Sequence, residues 1–157
     1  MKTAVIFVLT LASIAGGIYY YTSQVKGDTC GGNCPSGTCS SCPCGTSKLS
    51  YDIATECAKY SSWNQACCKC IVSHESGGNS HAAYQNTGGS LDVGFWQINS
   101  QNWASCSGGS APCDVNTNRA CAIKVWGWGG NTFKLWSTAS VCGCTASFFE
   151  EMANGGN

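Results

Sequence analysis

Apolar and polar positions follow helical spacing in several stretches of the chain. One face of the clearest stretch carries Cys67, Cys70, Ile71 and His74, at intervals of three and four residues. Similar spacing occurs before and after it. The pattern predicts helices over residues 50–62, 64–76 and 116–128, followed by a short helix or turn over residues 131–140.

Polar residues that can cap a helix stand at the start of the predicted helices. Ser50 and Asn64 precede the first two, and Asn116 or Asn118 opens the third. Their side-chain oxygens can accept hydrogen bonds from the free N–H groups of a first helical turn. The glycine pair at 77–78 ends the second helix.

Between the second and third helices the pattern becomes that of a β-hairpin. Residues 82–86 and 91–99 flank the turn Thr87-Gly88-Gly89-Ser90, whose glycines supply the positive φ angles that such turns need. The order of helices around one hairpin predicts an α+β protein that is mainly helical, with a small β-hairpin or sheet.

The start of the chain has the pattern of a secretory signal peptide. Lys2 precedes an uncharged apolar run, and small residues at 13 and 15 suit a cleavage site. We predict a signal peptide over residues 1–15, ending at the latest near residue 22. The alternative is an uncleaved signal anchor, because the apolar stretch can continue through Tyr21. A cysteine-rich segment at 22–49, a main domain at 50–144 and a loose tail at 145–157 follow.

Cysteine is unusually abundant, with 14 residues, all after Gly27. An even count behind a secretory signal favours disulfides, although spacing alone does not give their connectivity. The alternative is a zinc centre built from one of two clusters, Cys39, Cys42 and Cys44 or Cys67, Cys68 and Cys70. Only two histidines are present, His74 and His81, without the spacing of a zinc-protease helix. We therefore predict disulfides, with no metal and no cofactor.

Five of these cysteines lie within residues 30–47, among Gly, Pro and Ser. The absence of apolar periodicity there predicts stapled turns rather than helices or strands. Because five is an odd number, at least one of them should pair outside the segment if all are oxidised.

The charge balance excludes several classes of partner. The chain has 8 basic and 8 acidic side chains, and loss of Lys2 with a signal peptide leaves a net charge near −1. A chain with this charge has no net positive electrostatic field that would attract nucleic acid or an anionic membrane. We expect no nucleic-acid partner and, after signal removal, no membrane partner.

Two of the few acids stand where glycosidic chemistry would need them. Glu75 falls in the last turn of the second predicted helix, and Asp92 follows 17 residues later on the hairpin. Hydrolysis of a glycosidic bond requires a protonated acid and a second carboxylate, in unlike surroundings. Apolar neighbours such as Ile71 should raise the pKa of Glu75, whereas the polar side chains around Asp92 favour its ionised form.

The residues around this pair resemble the active-site region of the c-type lysozymes, the type case of the paired-carboxylate mechanism. In that family a helical Glu-Ser is followed 17 residues later by a strand Asp, and then by Gln-Ile-Asn-Ser and a Trp. The likeness runs without a gap over some 29 residues, with Glu75-Ser76, Asn86-Thr87, Gly89-Ser90, Asp92, Gly94, Gln97-Ile98-Asn99-Ser100 and Trp103.

The resemblance implies a lysozyme-like fold with multiple disulfides and a catalytic domain over residues 50–144. It implies cleavage of β-1,4 bonds in peptidoglycan with retention, Glu75 as general acid and Asp92 as nucleophile. Asn86 and Asn99 would hydrogen-bond the substrate or orient Asp92. The remaining implied features are saccharide contacts from Gln97 and Trp103 and a disulfide between Cys70 and Cys142.

The chain also departs from that family, as a divergent member would. Asn102 precedes Trp103 where the family often has two adjacent tryptophans, and the central cysteines number three, Cys106, Cys113 and Cys121. The family's count to the Trp that packs on the catalytic Glu ends at Leu135, with Trp136 next. Residues 22–49 have no counterpart, and the cluster at 67–70 resembles the invertebrate-type lysozymes.

Together these features predict a monomeric bacteriolytic enzyme, a 1,4-β-N-acetylmuramidase, acting on peptidoglycan or a chitin-like polysaccharide. It would be secreted or reside in the lumen of a digestive vacuole or lysosome-like compartment. One alternative is a non-catalytic saccharide-binding or regulatory protein on the same fold, which would need neither Glu75 nor Asp92. Another is a disulfide-stapled structural or toxin-like protein, which only the cysteine-rich segment supports.

Overall fold

The computed structural model describes residues 30–146 and the backbone of two short strands before them, Ser13–Ile14 (β1) and Gly17–Ile18 (β2). These two strands pair with each other in antiparallel fashion. Apart from those four residues, the predicted signal peptide lies outside the described residues. So do residues 19–29 and the predicted tail from residue 147 onward.

The described part of the chain contains four α-helices and two 3-10 turns. The helices are α1 (Ile53–Ala58), α2 (Gln65–Glu75), α3 (Trp103–Cys106) and α4 (Val115–Trp128), and the turns are Ser100–Asn102 and Ser137–Ala139. Each predicted helix is present, although α1 is shorter than expected. Among the described residues, no helix has the length and apolar character needed to cross a bilayer.

Side-chain caps define where the main helices begin. Asn64 caps α2 as predicted, with its Oδ1 accepting from the backbone N–H of Cys67 at 3.0 Å. Aspartates cap the other two helices, and their negative charge also suits the positive end of a helix dipole. They are Asp52 for α1 and Asp114 for α4, in place of the predicted Ser50 and the predicted Asn116 or Asn118.

The predicted hairpin is a three-stranded antiparallel sheet, with β3 (Ala83–Gln85), β4 (Leu91–Val93) and β5 (Ile98–Asn99) in that order. The prediction of one strand over residues 91–99 is wrong, because the chain reverses between β4 and β5. Gly94 and Gln97 adopt positive φ angles of 89° and 50° at this reversal. In the resulting register Asp92 is opposite Tyr84 on one side and Asn99 on the other.

An aromatic core joins the helices to the sheet. Trp96 contacts Phe95 and Trp63, with ring centroids 4.6 and 5.6 Å apart, and Phe133 lies 5.2 Å from Trp136. All five rings are buried. The core therefore fixes α2, the reversal between β4 and β5 and the segment after α4 relative to one another.

All 14 cysteines lie within the described residues and form seven disulfides. Cys44 bonds to Cys113, so the odd cysteine of residues 30–47 does pair outside that segment. Cys70 bonds to Cys142, the pairing that the resemblance implied. The other pairs are Cys30–Cys42, Cys34–Cys39, Cys57–Cys68, Cys67–Cys144 and Cys106–Cys121.

Within residues 30–146, one group of residues of the types that bind metal ions lies close together, namely Cys70, His74 and Cys142. The two cysteines in it are bonded to each other, so neither offers the thiolate that a zinc site would use. This group is explained by the disulfide that it contains.

Candidate active site

Glu75 lies at the C-terminal end of α2, where the helix stops. Ser76 leaves the helical conformation, and its hydroxyl donates to the carbonyl of Phe95 at 2.7 Å. This bond ties the helix end to the sheet side of the core. The carboxyl group of Glu75 is half-buried and lines a cleft between the helices and the sheet.

A threonine from the other end of the described chain completes the surroundings of Glu75. The Oγ1 hydroxyl of Thr138 donates to Glu75 Oε1 at 2.6 Å. Thr138 lies in the 3-10 turn after α4, which the Cys70–Cys142 disulfide fastens to α2. Sequence reasoning missed this residue, since only that disulfide hinted that its region approaches Glu75.

The pKa of Glu75 is raised above the ordinary value of a glutamic acid. Burial is the main cause, since it disfavours the charged form. The Thr138 hydrogen bond opposes the shift, whereas the negative charge of Asp92 adds to it and His74 opposes it. Glu75 therefore keeps its proton to a higher pH than an ordinary glutamic acid, which is the direction that its apolar neighbours predicted.

Asp92, in the middle of β4, has two amide donors. Asn86 Nδ2 donates to Oδ2 at 2.8 Å, and Asn99 Nδ2 donates to Oδ1 at 2.7 Å. Asn99 is itself held, because its Oδ1 accepts from the backbone N–H of Gln101 at 3.0 Å. Each carboxylate oxygen thus has its own positioned donor, and both asparagines have contacts that orient Asp92.

Gln97 is placed between the sheet and the cleft. Its side chain is buried, and its Nε2 donates to the carbonyls of Ala82 at 3.0 Å and Gly94 at 2.8 Å. These bonds stabilise the reversal between β4 and β5. Gln97 also lines the cleft next to the carboxylates, although its amide nitrogen is already used by the backbone.

Trp103 lies at the start of α3, partly buried against the core. Its indole N–H donates to the carbonyl of Ile98 at 3.0 Å, which links it to β5. The residues that line the cleft include Asn102 but not Trp103. Of the six predicted functional residues, the structure brings five to this cleft, namely Glu75, Asp92, Asn86, Gln97 and Asn99.

The cleft has a volume of about 240 Å³ and an apolar wall opposite the sheet. Val125, Leu135 and Trp136 contribute to that wall. The family's count ended at Leu135, which is 53% exposed, whereas the next residue, Trp136, is 6% exposed and donates its indole N–H to the carbonyl of Trp96 at 2.8 Å. Trp136 is therefore the fixed aromatic of this wall, and Leu135 is its exposed edge.

The hydroxyl of Thr138 provides a direct test of these surroundings. We expect Thr138→Val to raise the pKa of Glu75 further, because the lost hydrogen bond favoured the ionised carboxylate. Titration of the labelled glutamate carboxyl by carbon NMR measures this shift. The exposed Thr145→Val serves as a control and should leave the titration unchanged. A lower or equal pKa in Thr138→Val would contradict the assigned bond.

Comparisons with known proteins point in one direction. Residues 68–138 match a family model described as a lysozyme-like domain. The chain is also similar to lysozyme C-1 of Anas platyrhynchos, with 44% identity over 54 residues, which is 34% of this chain and 33% of that protein. The match thus spans about a third of the length of this curated relative. No solved structure matches the chain.

Proposed function

Because residues 68–138 match a lysozyme-like domain and part of the chain is similar to a lysozyme, we propose that the chain belongs to the lysozyme family and is a glycoside hydrolase that cleaves the β-1,4 bonds of peptidoglycan. One observation carries this proposal: a single cleft contains two carboxyl groups in unlike surroundings. Glu75 is half-buried, with its pKa raised by burial, whereas Asp92 accepts one amide hydrogen bond on each oxygen. This contrast suits a proton donor and a carboxylate nucleophile.

In the proposed mechanism, Glu75 donates its proton to the glycosidic oxygen as that oxygen leaves the anomeric carbon. Asp92 attacks the same carbon from the opposite face and forms a covalent glycosyl–enzyme ester. Ionised Glu75 then takes a proton from a water molecule, which attacks the anomeric carbon and releases Asp92. Two inversions give a product with the configuration of the substrate.

The asparagines give Asp92 its role in this mechanism. Nucleophilic attack requires the carboxylate to be held in one orientation, and Asn86 and Asn99 each donate to a different oxygen of Asp92. Asn99 is fixed in turn by Gln101 and Ser90, within 3.1 Å. We assign the two asparagines as positioning residues, and Gln97, Asn102 and Trp103 as supports of the saccharide groove.

The disulfides bear on where the enzyme acts. Disulfides form and persist in oxidising surroundings, and this protein has seven of them with no free cysteine among its 14. We propose that the protein is secreted, or resides in the lumen of a digestive or lysosome-like compartment, and that it acts there as a monomer on wall polysaccharide. No cofactor enters the proposed mechanism, because the two carboxyl groups and water account for every proton and bond.

Release of reducing ends tests the proposal. We expect the oxidised protein to release reducing ends from peptidoglycan, and NMR should show the β-anomer as the first product of the β-linked hexamer of N-acetylglucosamine. A product that is first seen as the α-anomer would contradict Asp92 as nucleophile. Saccharide binding without any cleavage at acidic or neutral pH would instead indicate a non-catalytic saccharide-binding protein.

A further inference from the structure

A second and larger cavity lies beside the catalytic cleft. Its volume is about 720 Å³, and Glu75 and Gln97 line both cavities. Asp92 and its two asparagines line only the smaller one. Glu75 therefore stands at the junction, with Asp92 on one side and the larger cavity on the other.

The sheet gives both cavities a common floor. Tyr84 on β3 is directly opposite Asp92 on β4, and opposed side chains of an antiparallel pair lie on the same face of the sheet. Tyr84 lines the larger cavity and Asp92 lines the smaller one. Tyr84 is also 50% exposed, so its ring is available to a ligand. The two cavities form one groove across this face.

The part of the cysteine-rich segment that the structure describes, residues 30–49, forms the far wall of the larger cavity. Asn33, Pro35, Ser36 and Lys48 are among its lining residues. Ser36 and Lys48 are exposed. This wall is made from the part of the chain for which the c-type resemblance offered no counterpart.

The wall is held firmly against the sheet. The backbone N–H of Ala83 on β3 donates to the carbonyl of Asn33 at 2.7 Å. The Asn33 side chain, which is buried, donates to the carbonyls of Gly45 and Ser47 and accepts from Asn79 Nδ2 at 2.9 Å. The Cys44–Cys113 disulfide fastens the far end of the segment to the residues before α4. A wall fixed at both ends can position a ligand without first becoming ordered.

The order of the two carboxyl groups decides which part of a substrate reaches this wall. The sugar that Asp92 attacks must lie in the smaller cavity, next to Asp92. The acid protonates the oxygen that departs, so the leaving group extends past Glu75 and away from Asp92. That direction leads into the larger cavity.

We propose that the cysteine-rich segment, together with Tyr84, binds the leaving-group side of a β-1,4-linked amino-sugar polymer and sets the specificity there. This inference rests on the proposed function, since it uses the roles of Glu75 and Asp92. It assigns a binding function to residues 30–49 beyond their disulfide framework. Tyr84 offers an aromatic face to a sugar ring, and Ser36 and Lys48 offer polar groups.

Two substrates separate the leaving-group side from the rest of the groove. The hexamer of N-acetylglucosamine has saccharide on both sides of the cleaved bond, whereas an aryl glycoside of the trimer has only one aromatic ring to release. We expect Ser36→Trp, which places a large ring at the wall, to lower kcat/KM for the hexamer about tenfold and for the aryl trimer less than about twofold. Ser41→Trp is the matched control, because Ser41 is exposed in the same segment and does not line the cavity.

Tyr84→Ala is the second variant, in case the new tryptophan disturbs folding. It should also lower kcat/KM for the hexamer more than for the aryl trimer, and the aryl rate reports on the integrity of the catalytic pair. If Ser36→Trp and Ser41→Trp cleave the hexamer at equal rates, and both substrates are still cleaved, the segment does not bind the leaving-group side. The proposed function would be unaffected by that result. If the unmodified protein cleaves neither substrate, the proposed function fails, and the leaving-group assignment fails with it.

Discussion

Glu75→Gln should lower the rate of saccharide cleavage by about a thousandfold while leaving the fold and saccharide binding intact. The glutamine amide has the same shape but cannot transfer a proton to the leaving oxygen. Its Oε1 can still accept the hydroxyl of Thr138, which donates to Glu75 Oε1 at 2.6 Å. The substitution therefore removes the chemistry with little change in contacts.

A matched acid-to-amide change shows whether the loss is specific. Asp52→Asn alters the exposed cap of α1, and asparagine caps a helix about as well as aspartate. Its cleavage rate should equal that of the unmodified protein. Reducing-end release from the hexamer and from peptidoglycan measures both variants. If Glu75→Gln keeps more than about a tenth of the rate, Glu75 is not the general acid.

The raised pKa of Glu75 gives this variant a second readout. In the proposed mechanism cleavage requires protonated Glu75, so the activity should persist to higher pH than an ordinary glutamic acid allows and fall as pH rises through the raised pKa. The same shift affects stability. Since the folded pKa exceeds the unfolded one, the favourable contribution of protonated Glu75 is complete at low pH and is lost as pH rises through the folded pKa. Glu75→Gln should consequently raise Tm at about pH 8 but not at about pH 3.

Features of the site that depend on local sequence were predictable. The α2 helix has its apolar face, its Asn64 cap and its glycine stop within one short stretch, so Glu75 was placed correctly at the helix end. The positions of Asp92 and its partner Asn99 were predictable because both residues belong to one continuous sequence motif. Their closeness follows from the register of β4 and β5, where they are directly opposite each other.

Features that depend on distant contacts were not predictable. The strand predicted over residues 91–99 includes the reversal at residues 94–97, where Phe95 and Trp96 are buried among Trp63 and Phe133. This packing joins residues that are distant in the sequence, and it accounts for the turn. Thr138 lies next to Glu75 because the Cys70–Cys142 disulfide joins their two segments, across a separation of 72 residues in the sequence. The docking of the cysteine-rich segment likewise depends on a backbone hydrogen bond with β3, from the N–H of Ala83 to the carbonyl of Asn33, which no local pattern in either segment encodes.

Asn118→Ala should lower the free energy of unfolding by about 3 kcal/mol. Asn118 is fully buried on α4 and binds three backbone groups. Its Oδ1 accepts from the N–H of Trp96 at 2.8 Å, and its Nδ2 donates to the carbonyls of Val93 at 2.9 Å and Pro112 at 2.8 Å. Alanine leaves these groups without their partner in the core and opens a small cavity.

Urea unfolding with the disulfides intact measures the change. Asn116→Ala on the same helix is the control, since Asn116 is exposed, and it should alter the free energy of unfolding by less than about 0.5 kcal/mol. A similarly small change for Asn118→Ala would show that the buried amide does not hold the reversal. Gly94→Ala tests the same contact from the other side, because a Cβ there would stand 2.1 Å from Asn118 Nδ2.

The position of Asn118 also connects stability to the proposed chemistry. Its bond to the carbonyl of Val93 holds the residue directly after Asp92, and its bond to Trp96 holds the strand reversal that carries Gln97. Loosening these bonds should disturb the register between Asp92 and Asn99. We therefore expect Asn118→Ala to lower kcat well below its unfolding temperature, whereas KM changes less. An unchanged kcat in a folded but destabilised variant would show that β4 keeps Asp92 in place without this helix.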